Sequence, residues 1–206
     1  ERSRGLGDVY KRQISRFTVD LPGAFSLKGG GILENLTDSL TRSGTIGLDM
    51  VTRNLNFLTG LTGVTPDGSL VIPDSMSLKM KMEMNGPQYK AKLDLKEGKG
   101  SMNVNAALNS STEVYTADLK INDLQLHHFL PKDSIYELSL SADAKGRGLD
   151  VMSFHSLANL NLSLDQLHYA RYHLSNVHLT GNLKGALATA QPVSYTHLRA
   201  HETSLH

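Results

Sequence analysis

The chain has 206 residues, with 21 Lys and Arg against 20 Asp and Glu, no Cys and no Trp. Without Cys there is neither a disulfide framework nor a thiolate metal site, and either redox compartment is permitted. No apolar run approaches the roughly 18 residues that a membrane-spanning helix needs, and the near-balanced charge offers no basic field for a nucleic acid or an anionic membrane surface.

The two ends read differently from the interior. Residues 3–13, SRGLGDVYKRQ, resemble a translated transposase sequencing adapter, and residues 193–203, VSYTHLRAHET, resemble the opposite strand of the same adapter. Residues 1–13 and 193–206 are therefore expected to be adapter-derived and not native, which makes residues 14–192 an internal metagenomic fragment of a longer protein. The flanks hold Arg2, Arg4, Lys11, Arg12 and Arg199 against Glu1, Asp8 and Glu202; without these five bases and three acids, the 21 and 20 become 16 and 17.

Within that interior the dominant signal is an apolar/polar period of two, broken at Gly, Asn, Asp and Pro, which is the rhythm of half-buried β-strands. It opens with Phe17, Val19 and Leu21. Gly29, Gly30 and Gly31 lack the Lys-Ser or Lys-Thr of a phosphate loop and read as a hinge or turn, and residues 31–40 are the best candidate for a short helix. Alternation returns at Ile46, Leu48 and Met50. Its clearest stretch is residues 76–84, where Met76, Leu78, Met80, Met82 and Met84 alternate with Ser77, Lys79, Lys81 and Glu83. After the turn signal Asn85-Gly86-Pro87, the apolar Tyr89, Ala91, Leu93 and Leu95 alternate with Lys90, Lys92, Asp94 and Lys96, predicting an antiparallel hairpin. Beyond Gly98-Lys99-Gly100 come Met102, Val104, Ala106 and Leu108, and past Asn109-Ser110-Ser111 come Tyr115, Ala117, Leu119 and Ile121. Further strands carry Leu138, Leu140, Ala142 and Ala144, then Leu160, Leu162 and Leu164, then Val177, Leu179 and Leu183. Roughly a dozen strands at ten-residue spacing predict an all-β protein.

Nearly every predicted strand has one apolar face, and something must cover it. Burying one Leu or Met side chain contributes about 1.5 to 3 kcal/mol, so the five apolar residues of residues 76–84 represent on the order of 10 kcal/mol. Either a second sheet covers them in a sandwich or barrel, or the sheet curls into a trough filled by a ligand.

Residues 118–133, DLKINDLQLHHFLPKD, with residues 136–148, YELSLSADAKGRG, and residues 160–185, LNLSLDQLHYARYHLSNVHLTGNLKG, resemble the TamB/AsmA-like proteins of Gram-negative bacteria, especially the Bacteroidetes type. The resemblance is looser before Leu70. It implies an elongated, curved antiparallel sheet forming a taco-like β-groove, with a β-sandwich as the alternative. It also implies a periplasmic section, residues 14–192, of a protein anchored in the inner membrane and engaged in outer membrane biogenesis. The expected function is lipid transport, with phospholipid acyl chains lying in the groove. The lining expected for it is Met76, Leu78, Met80, Met82, Met84, Leu93, Leu95, Val104, Leu119, Ile121, Leu138, Leu140, Leu160 and Leu162, where flexible Met and Leu suit a fluid guest. The implied protein partner is an Omp85-family outer-membrane protein, reached through a region outside this chain. The rival expectations are a scaffold for outer-membrane β-barrel assembly through strand-edge pairing, and a closed sandwich with no ligand.

Other candidates carry less. His127 and His128, if on a strand, point to opposite faces and cannot share one metal ion. His168, Tyr169, Tyr172 and His173 read as strand or rim positions. Ser141, Asp143 and His155 do not make a triad by proximity in sequence, and no nucleophile-elbow pattern frames any serine, so an enzyme is not expected, nor is a cofactor. Lys79, Lys81, Lys90, Lys92 and Lys96 belong to wet faces; their plain role is solubility and protection of edges, and a sharper one places them beside lipid headgroups at the groove rim.

Overall fold

The computed structural model describes residues 11–54, 71–150, 152–185, 187–192 and 199–200. Its strands are β1 Lys11–Leu21, β2 Phe25–Glu34, β3 Ser43–Thr52, β4 Met76–Asn85, β5 Gln88–Glu97 and β6 Gly100–Asn109. They continue as β7 Val114–Gln125, β8 Ile135–Arg147, β9 Leu157–Tyr169, β10 Tyr172–Lys184, β11 Leu187–Pro192 and β12 Arg199–Ala200. One short 3-10 turn, η1 Leu126–His128, follows β7. All twelve strands form one antiparallel sheet in which β1 to β11 lie side by side in chain order, while β12 pairs with β10. The protein is therefore all-β, an open curved sheet, and the sandwich alternative finds no second sheet among the described residues.

Local chemistry explains this meander. Gly86 at φ +53° and Gly98 at φ +55° supply the left-handed residues of the two-residue links β4–β5 and β5–β6, a conformation open to Gly at no steric cost. Each hairpin preserves the pleat, so the apolar faces add up from strand to strand. From Leu27 the register runs through Met50, Leu78, Leu95, Met102, Ile121, Leu140 and Leu164 to Val177, apolar at every step. At strand spacings of about 4.8 Å, eleven strands carry this face across on the order of 50 Å.

Two expectations fail in β2. Gly29, Gly30 and Gly31 are strand residues, and no helix forms over 31–40; residues 31–34 complete β2 and a turn follows. The glycines suit the strand because neighbours occupy the space above them. A Cβ on Gly29 would lie 2.5 Å from Phe17 Cζ, so the Phe17 ring covers that position from β1, and a Cβ on Gly44 in β3 would lie 2.5 Å from Leu33 Cδ2. A third correction concerns His127 and His128, which sit on η1 with ring centroids 4.1 Å apart, not on a strand.

The compact core lies at one end of the apolar face. Met76, Leu95, Ile121 and Leu124 are buried together, and Leu126 and Phe129 from the η1 segment pack over them. A bulge between Ile121 and Leu124 keeps both on this face, with the Asp123 N–H donating to Ser139 Oγ at 2.8 Å and Asp123 at φ +46°. A second covering segment, residues 71–75, is tied to the first by the Val71 N–H donating to Phe129 O at 2.7 Å. Thr52, fully buried, fixes it to β3: its hydroxyl donates to Pro73 O at 2.8 Å and accepts from the Met76 N–H at 2.9 Å.

Candidate apolar groove

Strand pairing places all fourteen residues expected to line the groove on the same face of the sheet. Met80, for example, is level with Leu93, Val104, Leu119, Ala142, Leu162 and Leu179, while Met82 is level with Ala91, Ala106, Ala117, Ala144 and Leu160. Their surroundings differ along the strands. Met76, Leu95 and Ile121 are sealed beneath the η1 segment, with Leu78, Leu93, Leu119, Leu138 and Leu140 packed partly against them. Away from the cover the face opens, and Met82 is 44% and Leu160 37% exposed.

The open part has a shape that periodicity alone does not predict. Ala91, Ala106, Ala117 and Ala144 stand side by side on β5 to β8, making a floor of small residues at right angles to the strands. Three strand spacings give this floor a length of about 14 Å. Tyr89, Leu108 and Tyr115 form one wall, and Leu93, Val104 and Leu119 the other. The Tyr115 ring extends over Gly146, whose added Cβ would lie 2.5 Å from Tyr115 Cζ. A cavity of about 360 Å³ occupies this region, lined by Ile46, Met82, Met84, Ala91, Ala106, Leu108, Tyr115, Ala117 and Leu149, among others. That size is at the small end of ligand sites, about 300–1,000 Å³, and the lining is apolar as such sites are. Ala91, Ala106, Ala117, Tyr89, Leu108 and Tyr115 are the lining residues that the sequence pattern left out. Their alternation was visible, but which of them stand level depends on register.

The opposite face is polar and holds a larger open trough of about 1460 Å³, which includes Arg16, Lys28, Asp49, Lys79, Lys81 and Lys92. The apolar cavity, not this larger one, matches the chemistry of an apolar guest. Charges on the polar face largely answer one another: Lys28, Asp49, Lys79 and Asp94 alternate across β2 to β5, and Asn103 donates to Asp94 at 2.6 Å. Lys81 contacts Glu83 at 2.5 Å. The Lys81 ammonium hydrogen-bonds Glu83 and, with Lys90, holds that carboxyl below its ordinary range. Lys81 and Lys92 are directly opposed. The register puts Lys79, Lys81, Lys92 and Lys96 on this polar face, as their alternation with the apolar residues predicts, while Lys90 also borders the apolar cavity.

A row of rings runs over the ends of β8 to β10 near η1. His127 and Tyr136 have centroids 5.7 Å apart, Tyr136 and His168 4.8 Å, and His168 and His173 4.1 Å. Among the described residues no group of three His, Asp or Glu is placed to hold a metal ion, and no helix is long and apolar enough to cross a membrane. Compared with known proteins, the chain matches no family model, no curated protein and no solved structure.

Proposed function

We propose that this chain is a section of a periplasmic bridge of the TamB/AsmA-like kind, conducting phospholipids between inner and outer membranes. Acyl chains lie on the apolar face and headgroups remain in water. The observation that carries this reading is an apolar face running without interruption across eleven strands, with no second layer over it among the described residues except at the η1 end. Such a face is costly against water. The alanine floor adds a direction, since a chain lying in it crosses the strands and passes from hairpin to hairpin. In the full-length protein, on this reading, an inner-membrane anchor and an Omp85-family partner lie at the two ends of the path.

The test is binding of a fluorescent phospholipid to the purified chain, with Ala106→Trp and Ala117→Trp filling the floor. Loss of binding at unchanged thermal midpoint is expected. Undiminished binding by both folded variants would remove the groove from consideration.

A further inference from the structure

Glu97 ends β5 on the apolar face, level with Met76 on β4 and Gly100 on β6. It is 5% exposed. One carboxylate oxygen accepts from His128 Nδ1 at 2.7 Å, while Oε2 is buried without a partner among the described residues. A buried carboxylate with one oxygen unsatisfied is a standing cost, and an apolar residue of similar volume would avoid it. Its partner sits on the cover. His128 ends η1, and the flanking Leu126 and Phe129 are the residues packed over Met76, Leu95, Ile121 and Leu124.

We propose that Glu97 and His128 form a latch that holds the η1 strap closed across one end of the apolar face, and that its release extends the open face to Met76, Leu95, Ile121 and Leu124. What the latch controls rests on the groove reading; that it exists does not. The pair is asymmetric, with the His128 side chain 45% and the Glu97 side chain 7% exposed. Opening therefore moves an imidazole already at the surface and gives the carboxylate the hydration it lacks, which offsets the lost hydrogen bond. An acyl chain advancing along the face then takes the place of Leu126 and Phe129 on the cluster, exchanging one apolar contact for another.

Amide hydrogen exchange on the full chain tests this, using Glu97→Ala, His128→Ala, both together, and the apolar pair Glu97→Met with His128→Leu. Each single variant is expected to speed exchange of the Phe129 and Leu130 amides, which donate to Leu126 O, by about tenfold or more while Leu93 and Leu119 stay protected. Both together should match either alone, since each breaks the same bond, and the apolar pair should stay slow. A phospholipid carrying a photoreactive group at its chain end, supplied in phosphatidylethanolamine–phosphatidylglycerol vesicles, should crosslink near Leu124 more in the single variants than in the parent. Unchanged exchange, acceleration spread evenly over the sheet, or additive effects in the double variant would each overturn the latch. Local acceleration with no crosslinking anywhere on the apolar face would support the latch and overturn the groove.

Discussion

Met82→Asp and Met76→Asp introduce the same charge on the same face of one strand, six residues apart, and their consequences should differ sharply. Met82 is 44% exposed beside the alanine floor, whereas Met76 is 5% exposed in the cluster under the strap. Full burial of Met is worth about 1.5 to 3 kcal/mol, so the partly exposed Met82 should lose about 1 to 1.5 kcal/mol, its new carboxylate staying hydrated in the open groove. Against a typical domain stability of about 5 to 15 kcal/mol, that leaves the sheet folded. At Met76 the whole transfer term is lost, and the new carboxylate is buried level with Glu97; the sum should exceed about 5 kcal/mol. Urea unfolding followed by circular dichroism reads the two stabilities, and phosphorus assay of co-purified lipid reads the groove. Met82→Asp should keep its transition but lose lipid, and Met76→Asp should have no transition to measure. If Met82→Asp unfolds the protein as Met76→Asp does, the face is sealed in solution and the argument for a lipid path fails.

Thr52→Val leaves the buried Met76 N–H without its acceptor and should cost about 1 to 3 kcal/mol in chemical denaturation. Lys92→Glu places opposite charges across from each other where Lys81 and Lys92 now face, and should raise stability by about 0.2 to 1 kcal/mol, an advantage that fades in high salt. Because Lys81 lowers the Glu83 carboxyl, the stabilisation from Glu83 is present above the carboxylate range and lost as pH falls through the lowered value. Glu83→Gln should therefore differ slightly from the parent near neutrality, and the two should converge in urea unfolding below that range. Gly146→Val sets a side chain against Tyr115 and against Leu157 O, 2.5 Å from each, and should lower the thermal midpoint by several degrees in calorimetry.

Much of the fold is legible in the residue order because a strand records its two faces by simple alternation. Met76 to Met84 and Tyr89 to Leu95 show which side is apolar, and Gly86 and Gly98 show where the chain reverses. A strand needs no partner to display that pattern. Gly29 to Gly31 misled for a related reason: glycine reads as a turn until the Phe17 ring from β1 is seen lying over it. Likewise, His127 and His128 looked like alternating strand residues, whereas the chain leaves the sheet at Leu126 to form the strap.

By itself, then, the order of residues determined that the protein is all-β, with one apolar face on each strand. Tertiary structure alone decided that Ala91, Ala106, Ala117 and Ala144 stand level, and that the strap covers Met76, Leu95, Ile121 and Leu124 and leaves Met82 open. Alternation is a property of a single strand, whereas a floor, a wall or a cover is a relation between strands. A slip of one residue in any pairing would turn the apolar set to the other side, so only the hydrogen-bonded register makes a continuous surface out of separate stripes.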